Sequence, residues 1–390
     1  MSNEGLTVLS LFDGMSCGAI ALREAGIKVK QYFASEIDKA AIRQTQHNFP
    51  ETIQLGSVVG VNVSELPHID LLIGGSPCQG FSFAGKQLNF SDPRSVLFFE
   101  YVRILREIQK YNPDVKFLLE NVCMRKEYEN VISNSLGIFP TVINSSLLSA
   151  QNRVRLYWSN INTITVPNLF DETLHTDIPQ PENKQIFVRD ILEDNVEERF
   201  YLTKKEIEKL VRQRNYDIVE KESENMEFLL NVFGDLYDIP EFNGCQPTRF
   251  HGFDINNCMV DHKLYPPSDI ERIPRDAIQR ERLIIGFDNH DNRTVVISGA
   301  TVSPQFGGGF RPIMSGKAPC LLATSSNCAA CLIINGDDMV LRRLTPKECS
   351  RLQTIPEWYE WICSEAQIYR MLGNGWTVDV ISHIFQYMSI

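Results

Sequence analysis

The stretch LTVLSLFDGMSCG (residues 6–18) decides the fold. Residues 6–11 form an apolar run that ends at Asp13-Gly14, and a helical pattern follows as far as Ala25-Gly26. A strand that passes through a glycine-bearing turn into a helix opens an α/β unit, and its turn lets backbone N–H groups approach a ligand closely. An ordinary strand–helix turn has the same pattern, so this stretch alone does not assign a ligand.

The alternation of strands and helices continues as far as residue 158. Helical spacing marks residues 96–108, and strand patterns mark residues 31–35, 69–73, 116–119, 142–148 and 154–158. This order predicts an α/β fold with a mostly parallel sheet and helices on both faces. Ligands of such sheets bind beyond the carboxyl ends of the strands, where the first four strands end in small or polar residues.

The pattern loosens after residue 162. Asp, Glu and Pro become frequent, and one polar helix is predicted at residues 203–215. Thr345-Pro346-Lys347-Glu348 is then a typical helix start, with Thr345 as the N-cap residue, and an amphipathic stretch covers residues 378–388. We therefore predict a first domain over residues 1–162, a less regular domain over 163–340, and a segment over 341–390 that returns to the first domain.

The composition is that of a soluble globular protein. The 390 residues are 43% hydrophobic and 22% charged, with a net charge of -11. This charge argues against binding mainly through non-specific phosphate contacts, so a DNA-binding role requires Lys and Arg to be gathered in one cleft. We find no secretory signal and no bilayer-long apolar run, which predicts a cytoplasmic protein whose ten cysteines are reduced.

A cysteine follows the third predicted strand, in GGSPCQGFS (residues 74–82). A lone cysteine is more often a small buried hydrophobe than a nucleophile. Here proline and glycine constrain the turn, and the turn lies at the crevice end of the sheet. Cys78 is therefore a candidate nucleophile.

Acidic residues end two other strands. Glu36 follows the second strand, where a carboxylate can hold ribose hydroxyls, although a solvated carboxylate is the alternative. Glu120 opens ENV (residues 120–122), and a carboxylate beside a thiol suits proton chemistry on a heterocycle. In QNRVR (residues 151–155), a spacing of two places Arg153 and Arg155 on one face of a strand. Their guanidinium groups suit an anionic backbone or a ring carbonyl, and surface arginines on an edge strand are the alternative.

These motifs, in this order, resemble those of the DNA cytosine-5 methyltransferase family. The match covers residues 8–158 and 341–390, including RLT (343–345), RLQ (351–353) and GNG (373–375). The resemblance implies a class I S-adenosylmethionine-dependent methyltransferase, with a Rossmann-like mixed sheet and a smaller irregular target-recognition domain. It implies transfer of a methyl group from S-adenosylmethionine to C5 of a flipped cytosine in a specific double-stranded DNA sequence. S-adenosylhomocysteine is then the product, and restriction–modification or phage self-protection is the expected role.

The resemblance also implies residue roles, and it implies no metal. Cys78 would add to C6 of the base, Glu120 would bind N3 and the exocyclic amine, and Arg155, together with Arg153, would hold the base carbonyl or a phosphate. The expected cofactor-binding residues are Phe12, Asp13, Gly14, Gly18, Glu36, Ile37, Ser57, Val58, Pro77, Leu97, Asn374 and Trp376. The expected DNA-binding residues are Gln79, Ser82, Lys86, Arg94, Gln151, Arg249, Arg311 and Lys317.

The sequence departs from the family pattern at two positions. Ser57 stands where the family usually has an Asp near the adenine amino group, and Cys17 stands where many bacterial members have Gly. Cys17 and the LFFE run at residues 97–100 give the first half some likeness to the animal de novo branch. Neither departure affects the catalytic residues.

Other functions fit the sequence less well. RNA methylation is disfavoured, because the branch of the family that modifies tRNA carries a Cys-Phe-Thr signature that is absent here. A non-catalytic regulatory relative is disfavoured, because this chain keeps the nucleophile, the Glu and the cofactor motif. A nicotinamide-dependent oxidoreductase would need the full Gly-x-Gly-x-x-Gly spacing and leaves Cys78 unexplained. Cys328 and Cys331 have no second ligand pair nearby, so no zinc site is predicted. We expect a monomer without an obligate protein partner.

Overall fold

The computed structural model describes residues 5–76, 93–167, 172–201, 257–260, 263–265, 285–287, 294–298, 311–313, 317–321, 323, 330–335 and 338–388. Only the backbone is described for residues 93–96, 319 and 341 and for the strands within 257–313 and 330–340. The described residues divide into two compact units. The first comprises Met1–Ser149, Arg153–Gln185 and Gln353–Ile390, and the second Ala150–Asn152 and Ile186–Leu352.

A seven-stranded mixed sheet forms the centre of the first unit. Its strands are β1 (Leu6–Leu11), β2 (Val29–Ser35), β3 (Ile53–Gln54), β4 (Leu71–Gly74), β5 (Lys116–Val122), β6 (Thr141–Asn144) and β8 (Val154–Ser159). They lie in the order β3-β2-β1-β4-β5-β8-β6, and β8 runs antiparallel to its neighbours while the other six are parallel. The chain turns from one half of the sheet to the other between β1 and β4, which is where α/β sheets bind ligands. The predicted α/β fold is confirmed.

Helices cover both faces of this sheet. They are α1 (Cys17–Glu24), α2 (Lys39–Asn48), α3 (Pro93–Tyr111), α4 (Lys126–Leu136), α7 (Glu365–Asn374) and α8 (Val378–Phe385). Leu9 and Leu72 pack with Phe98 of α3 in one buried cluster, and alternate residues such as Ile73 face α1 on the other side. The strands are therefore apolar on both faces, as parallel strands between two helical layers must be. No described helix has the length and apolarity needed to span a membrane.

The first unit extends past residue 162. The hairpin of β9 (Thr163–Pro167) and β10 (Glu172–Thr176) is part of it, because Phe139 N–H donates to the Leu174 carbonyl at 2.8 Å and Ser159 N–H donates to Thr176 Oγ1 at 2.9 Å. The chain thus enters the second unit at Ile186 rather than at 163, and it returns at Gln353 rather than at 341. That the second unit recognises a target stays a prediction.

The described residues of the second unit form short strands and two α-helices. They are β7 (Gln151–Asn152), β11 (Asn257–Val260), β12 (Lys263–Tyr265), β13 (Ile285–Phe287), β14 (Thr294–Ser298), β15 (Arg311–Ile313), β16 (Ala318–Pro319), β17 (Ala330–Asn335), β18 (Asp338–Arg343), α5 (Val188–Ile191) and α6 (Pro346–Leu352). Its sheets are β12-β11-β13, β15-β14-β17-β18 and the pair β16-β7. The predicted start of α6 is confirmed, because Thr345 Oγ1 accepts the Glu348 N–H at 3.1 Å and Glu348 Oε2 accepts the Thr345 N–H at 2.8 Å. The helix predicted at residues 203–215 lies outside the described residues.

Candidate active site

A cavity of about 400 Å³ lies in the first unit at the carboxyl ends of β1, β2, β4 and β5. Its size is that of a small-molecule site. The predicted site residues that line it are Phe12, Asp13, Gly14, Glu36, Ile37, Ser57, Val58, Leu97, Glu120, Arg153, Arg155, Asn374 and Trp376. Residues far apart in the sequence therefore meet here, with the loop after α7 closing one side.

Glu36 fixes the turn between β1 and α1. Its Oε2 accepts the Gly14 N–H at 2.8 Å, and its Oε1 accepts the N–H groups of Ile37 and Asp38 at 2.7 and 2.8 Å. Gly14 has a φ of +60°, a conformation that glycine adopts without strain. The carboxylate thus ties the ends of β1 and β2 together at the cavity wall.

Asp13 holds the same turn from the inside. Its carboxylate accepts the Tyr32 hydroxyl at 2.7 Å and also the Ser16 hydroxyl. Burial raises the pKa of Asp13 to about 6, although these hydrogen bonds act in the opposite direction. Both carboxylate oxygens are engaged within the protein, so the residue supports the cavity wall more than it presents a ligand contact.

Gly18 is predicted to contact the cofactor, but it does not line the cavity. A Cβ at this position would lie 2.2 Å from Ile73 Cδ1 and 3.0 Å from the Tyr32 hydroxyl. The missing side chain lets α1 pack closely against the sheet. Its role is therefore helix–sheet packing next to the turn.

Glu120 contacts both an arginine and an indole, and among the described residues that line the cavity it is the only carboxylate to do so. Its Oε1 lies 2.9 Å from Arg155 Nε, and its Oε2 accepts the Trp376 Nε1–H at 3.1 Å. The side chains of Glu120 and Arg155 are 11% and 12% exposed, so water screens the pair only weakly. This arrangement can hold a polar ring by hydrogen bonds at the end of β5.

Arg153 and Arg155 do not act as a pair. Arg153 is buried and donates to the carbonyls of Gly375 and Gly373 at 2.9 and 3.4 Å. The prediction of two parallel guanidinium groups is wrong, because residue 153 falls between β7 and β8 and the strand is not continuous there. Arg153 anchors the loop after α7, and Arg155 faces Glu120.

Sequence reasoning missed the role of Asn121. Its Nδ2–H group donates to Ser76 Oγ at 3.1 Å and to the Ser76 carbonyl at 3.3 Å. Ser76 is the last described residue before Pro77-Cys78, so Asn121 holds the residue that precedes this pair in the sequence. The ENV motif was the available signal, but a residue pair 45 positions apart cannot be matched from one sequence.

Two residues that are predicted to contact DNA have buried side chains, and their contact with DNA stays a prediction. Gln151 is fully buried, where its amide donates to the Leu352 carbonyl and accepts the Leu321 N–H within the second unit. Lys317 is 9% exposed and donates to the Ile186 carbonyl at 2.5 Å, and burial lowers the pKa of its ammonium group to about 8. Both residues are polar groups that hold the second unit together.

Other predicted site residues are not described at the level of side chains. Pro77, Cys78, Gln79, Ser82, Lys86 and Arg249 lie outside the described residues. Only the backbone of Arg94 and Arg311 is described, in α3 and β15. The roles of all eight stay predictions.

Comparison with known proteins identifies the family. The family described as C-5 cytosine-specific DNA methylase matches residues 6–389. The chain belongs to the C-5 cytosine-specific DNA methylase family. It is therefore a DNA cytosine-5-methyltransferase, a family that uses S-adenosylmethionine, and the match runs through the middle of the chain as well as through the motifs at either end.

Relatives of this methylase span nearly its whole length. The orphan methyltransferase M.SPRI of Bacillus phage SPR is 26% identical and covers 98% of this chain and 97% of its own. The type II methyltransferase M.HpaII of Haemophilus parainfluenzae is 27% identical, covering 97% and 87%. The crystal structure of S. pombe Dnmt2 methyltransferase superposes with a TM-score of 0.54 at 16% identity over 98% of both chains, which supports the fold.

Proposed function

We propose that this methylase transfers a methyl group from S-adenosylmethionine to C5 of a cytosine flipped out of a specific duplex DNA sequence. The observation that carries the proposal is the Glu120–Arg155 pair at the wall of a cavity whose other wall carries Glu36. One end of the cavity suits a nucleoside-type cofactor, and the other suits a pyrimidine ring.

The residues of the cavity fit S-adenosylmethionine. Glu36 has acceptor capacity for ribose hydroxyls beyond its three backbone hydrogen bonds, because a carboxylate offers about four lone-pair sites. Phe12, Val58 and Leu97 give an apolar wall for the adenine, and Ser57 can meet its polar edge. Glu120 and Trp376 give a carboxylate and an aromatic ring, which are favourable neighbours for a sulfonium. When bound, the cofactor supplies an electrophilic methyl group.

Glu120 and Arg155 would bind the base. C5 of cytosine becomes nucleophilic only when a nucleophile adds to C6, and charge then develops on the ring nitrogen and carbonyl. We assign Glu120 to N3 and the exocyclic amine, and Arg155 to the ring carbonyl. A buried ion pair, which water screens only weakly, binds these groups more strongly than an exposed pair would.

Cys78 would supply the thiolate. Its sulfur bonds to C6, C5 takes the methyl group, C5 then loses its proton to a base, and the C6–sulfur bond breaks to release Cys78. Asn121 holds Ser76, which lies two residues before this cysteine in the sequence. Gln79, Ser82, Lys86 and Arg94 are proposed DNA contacts beside it, and Arg249 and Arg311 are proposed for the target-recognition domain.

The biological role is proposed from the relatives. They are type II and phage orphan methyltransferases, so we propose restriction–modification or phage self-protection in the cytoplasm. Either role requires methylation of DNA at defined sequences. This fits an enzyme with a separate recognition unit.

The proposal is tested by methyl transfer with the purified protein. Duplex DNA rich in potential sites is incubated with S-adenosylmethionine labelled in its methyl group, and labelled 5-methylcytosine is measured. We expect transfer by the wild-type protein and none above background by Cys78→Ala. Absence of transfer by the wild type across such DNA, or transfer retained by Cys78→Ala, contradicts the proposal.

A further inference from the structure

Trp376 links the cavity to Glu120. Its ring is half-buried in the cavity wall, and its Nε1–H donates to Glu120 Oε2 at 3.1 Å. The other carboxylate oxygen lies 2.9 Å from Arg155 Nε. One oxygen therefore faces the Arg155 cation and the other accepts a hydrogen bond, and these two contacts together fix the plane of the carboxylate.

The loop that carries Trp376 is itself held in place. Arg153 donates to the Gly375 carbonyl at 2.9 Å, and Gln353 Nε2–H donates to the carbonyls of Leu372 and Gly375 at 2.6 and 3.2 Å. Both side chains are buried. The backbone that precedes Trp376 is thus fixed, and this holds the indole N–H in position to donate to Glu120.

The contact also depends on a glycine after β4. A Cβ on Gly75 would lie 2.9 Å from Trp376 Nε1 and 3.1 Å from Glu120 Oε2. Distances near or below 3.0 Å force a displacement of one of the groups. The close approach of the indole to the carboxylate therefore requires glycine at this position.

We propose that Trp376 is a positioning residue for Glu120. Resting on the proposed function, the inference is that the indole N–H orients the carboxylate before the base enters, so that one oxygen can accept from the exocyclic amine and the other can hold the proton that N3 takes up as C6 is attacked. The ring itself forms part of the cofactor wall. The two contributions are separable, because the ring can be kept while the N–H is removed.

Trp376→Phe removes the donor and keeps an aromatic ring. We expect kcat to fall by about 10- to 100-fold, as for one hydrogen bond to a charged group, with KM for DNA and Kd for S-adenosylmethionine changing by less than about threefold. Exchange of the C5 hydrogen of cytosine with water, which reports addition at C6 without methyl transfer, should fall by the same factor. A fall confined to cofactor binding, or an unchanged kcat, overturns the proposal.

Trp358→Phe is the matched control. Trp358 also donates its Nε1–H to a glutamate, Glu24, at 2.8 Å, but neither residue lines the cavity. This variant loses the same kind of hydrogen bond in the same unit. We expect its kcat to stay within about twofold of wild type, and an equal loss in both variants would mean that Trp376 acts only through general stability.

A double-mutant cycle with Glu120→Gln tests whether Trp376 acts through Glu120. The amide oxygen of Gln stays with Arg155, so its NH₂ group faces the indole and cannot accept the hydrogen bond. We expect Trp376→Phe to have little further effect on kcat or on C5 exchange in this background. Independent, additive losses contradict the proposal.

The same cycle measured by thermal unfolding needs neither DNA nor cofactor. If the wild type proves inactive, the proposed function fails while the Trp376–Glu120 coupling remains measurable. Coupling between the two substitutions in the melting temperature then supports the contact. Its absence there overturns the inference independently of the activity.

Discussion

Two buried arginine–glutamate pairs in the described residues differ in how completely the glutamate is satisfied. In the second unit, the two guanidinium NH₂ groups of Arg342 donate to the two carboxylate oxygens of Glu348, at 2.6 and 2.7 Å. Glu348 also accepts hydrogen bonds from the backbone N–H groups of Thr345 and Glu193. All four of its acceptor positions are filled. In the first unit, Glu120 has Arg155 at one oxygen and Trp376 at the other, and it borders a cavity.

The difference distinguishes a structural pair from a functional one. The Arg342 and Glu348 side chains are 1% and 0% exposed, so a ligand can neither reach them nor find a free acceptor. Glu120 keeps acceptor capacity at a site that a small molecule can enter. Substitutions at the Arg342–Glu348 pair should therefore change folding, and those at Glu120 should change chemistry.

Breaking the Arg342–Glu348 pair, in which every acceptor position of the glutamate is filled, should have the largest effect on stability. Glu348→Ala leaves Arg342 as a buried charge without its partner, which costs about 3–5 kcal/mol of unfolding free energy. Denaturant unfolding measures the loss. Replacing both residues with Leu and Met should recover much of it, and a double variant as unstable as Glu348→Ala would contradict the structural assignment.

Breaking the Glu120–Arg155 pair, in which the glutamate keeps acceptor capacity, should instead reduce activity. Glu120→Gln keeps the shape and one acceptor, and we expect kcat to fall about 10²- to 10³-fold because charge on the base is no longer stabilised. The melting temperature should stay within a few degrees of wild type. Steady-state methyl transfer and differential scanning fluorimetry on the same preparations separate the two effects, and a kcat near wild type would remove Glu120 from the site.

Asp13 gives an intermediate case, since it is buried near the cavity without a cationic partner in its hydrogen bonds. Burial raises its pKa from 3.8 to about 6, so the native state holds the proton more tightly than the unfolded chain. Its contribution to stability is therefore full below about pH 4, falls as the pH rises towards 6, and stays low above that. Asp13→Asn cannot titrate, and its amide can still accept from Tyr32.

We expect Asp13→Asn to gain stability relative to wild type between pH 4 and pH 6, by on the order of 1–3 kcal/mol. Urea unfolding of both proteins at several pH values gives the difference. Above about pH 6.5 the difference should be constant. A difference that falls with rising pH has the wrong sign for a buried carboxyl group.

The smallest effects are expected from alanine substitutions at two glycines, Gly18 and Gly75. Gly18→Ala places a Cβ against the Ile73 side chain, which can shift, so we expect a loss of about 1–3 kcal/mol in stability with cofactor affinity retained. Gly75→Ala instead meets Trp376 and Glu120, so it should reduce kcat more than stability. Calorimetric cofactor binding by the Gly18 variant checks the assignment, since a large loss of affinity would return Gly18 to the cofactor site.

Much of the fold could be predicted from sequence because its signals are local. Apolar strands that end in Asp13, Glu36 or Glu120 follow from β-propensity and from the position of turns. The start of α6 follows from the spacing of Thr345 and Glu348. These elements needed no knowledge of distant contacts.

The rest depends on contacts between distant residues. Arg153 and Gln151 share a motif with Arg155, yet one anchors the loop 222 residues later and the other holds Leu352 in the second unit. Two-residue periodicity predicts a shared face only along an unbroken strand, and the break between β7 and β8 has no strong local signal. The Trp376 contact with Glu120 likewise joins residues 256 positions apart.

We propose that Glu120, at the wall of the cavity, serves methyl transfer to cytosine in DNA. The most direct test of this role is bisulfite sequencing of DNA from cells that lack cytosine methylation and express either the wild type or Glu120→Gln at equal levels. We predict 5-methylcytosine at one recurring sequence with the wild type and a sharp loss at the same sites with Glu120→Gln. No methylated sequence with the wild type, or equal methylation with both proteins, would contradict this role of Glu120.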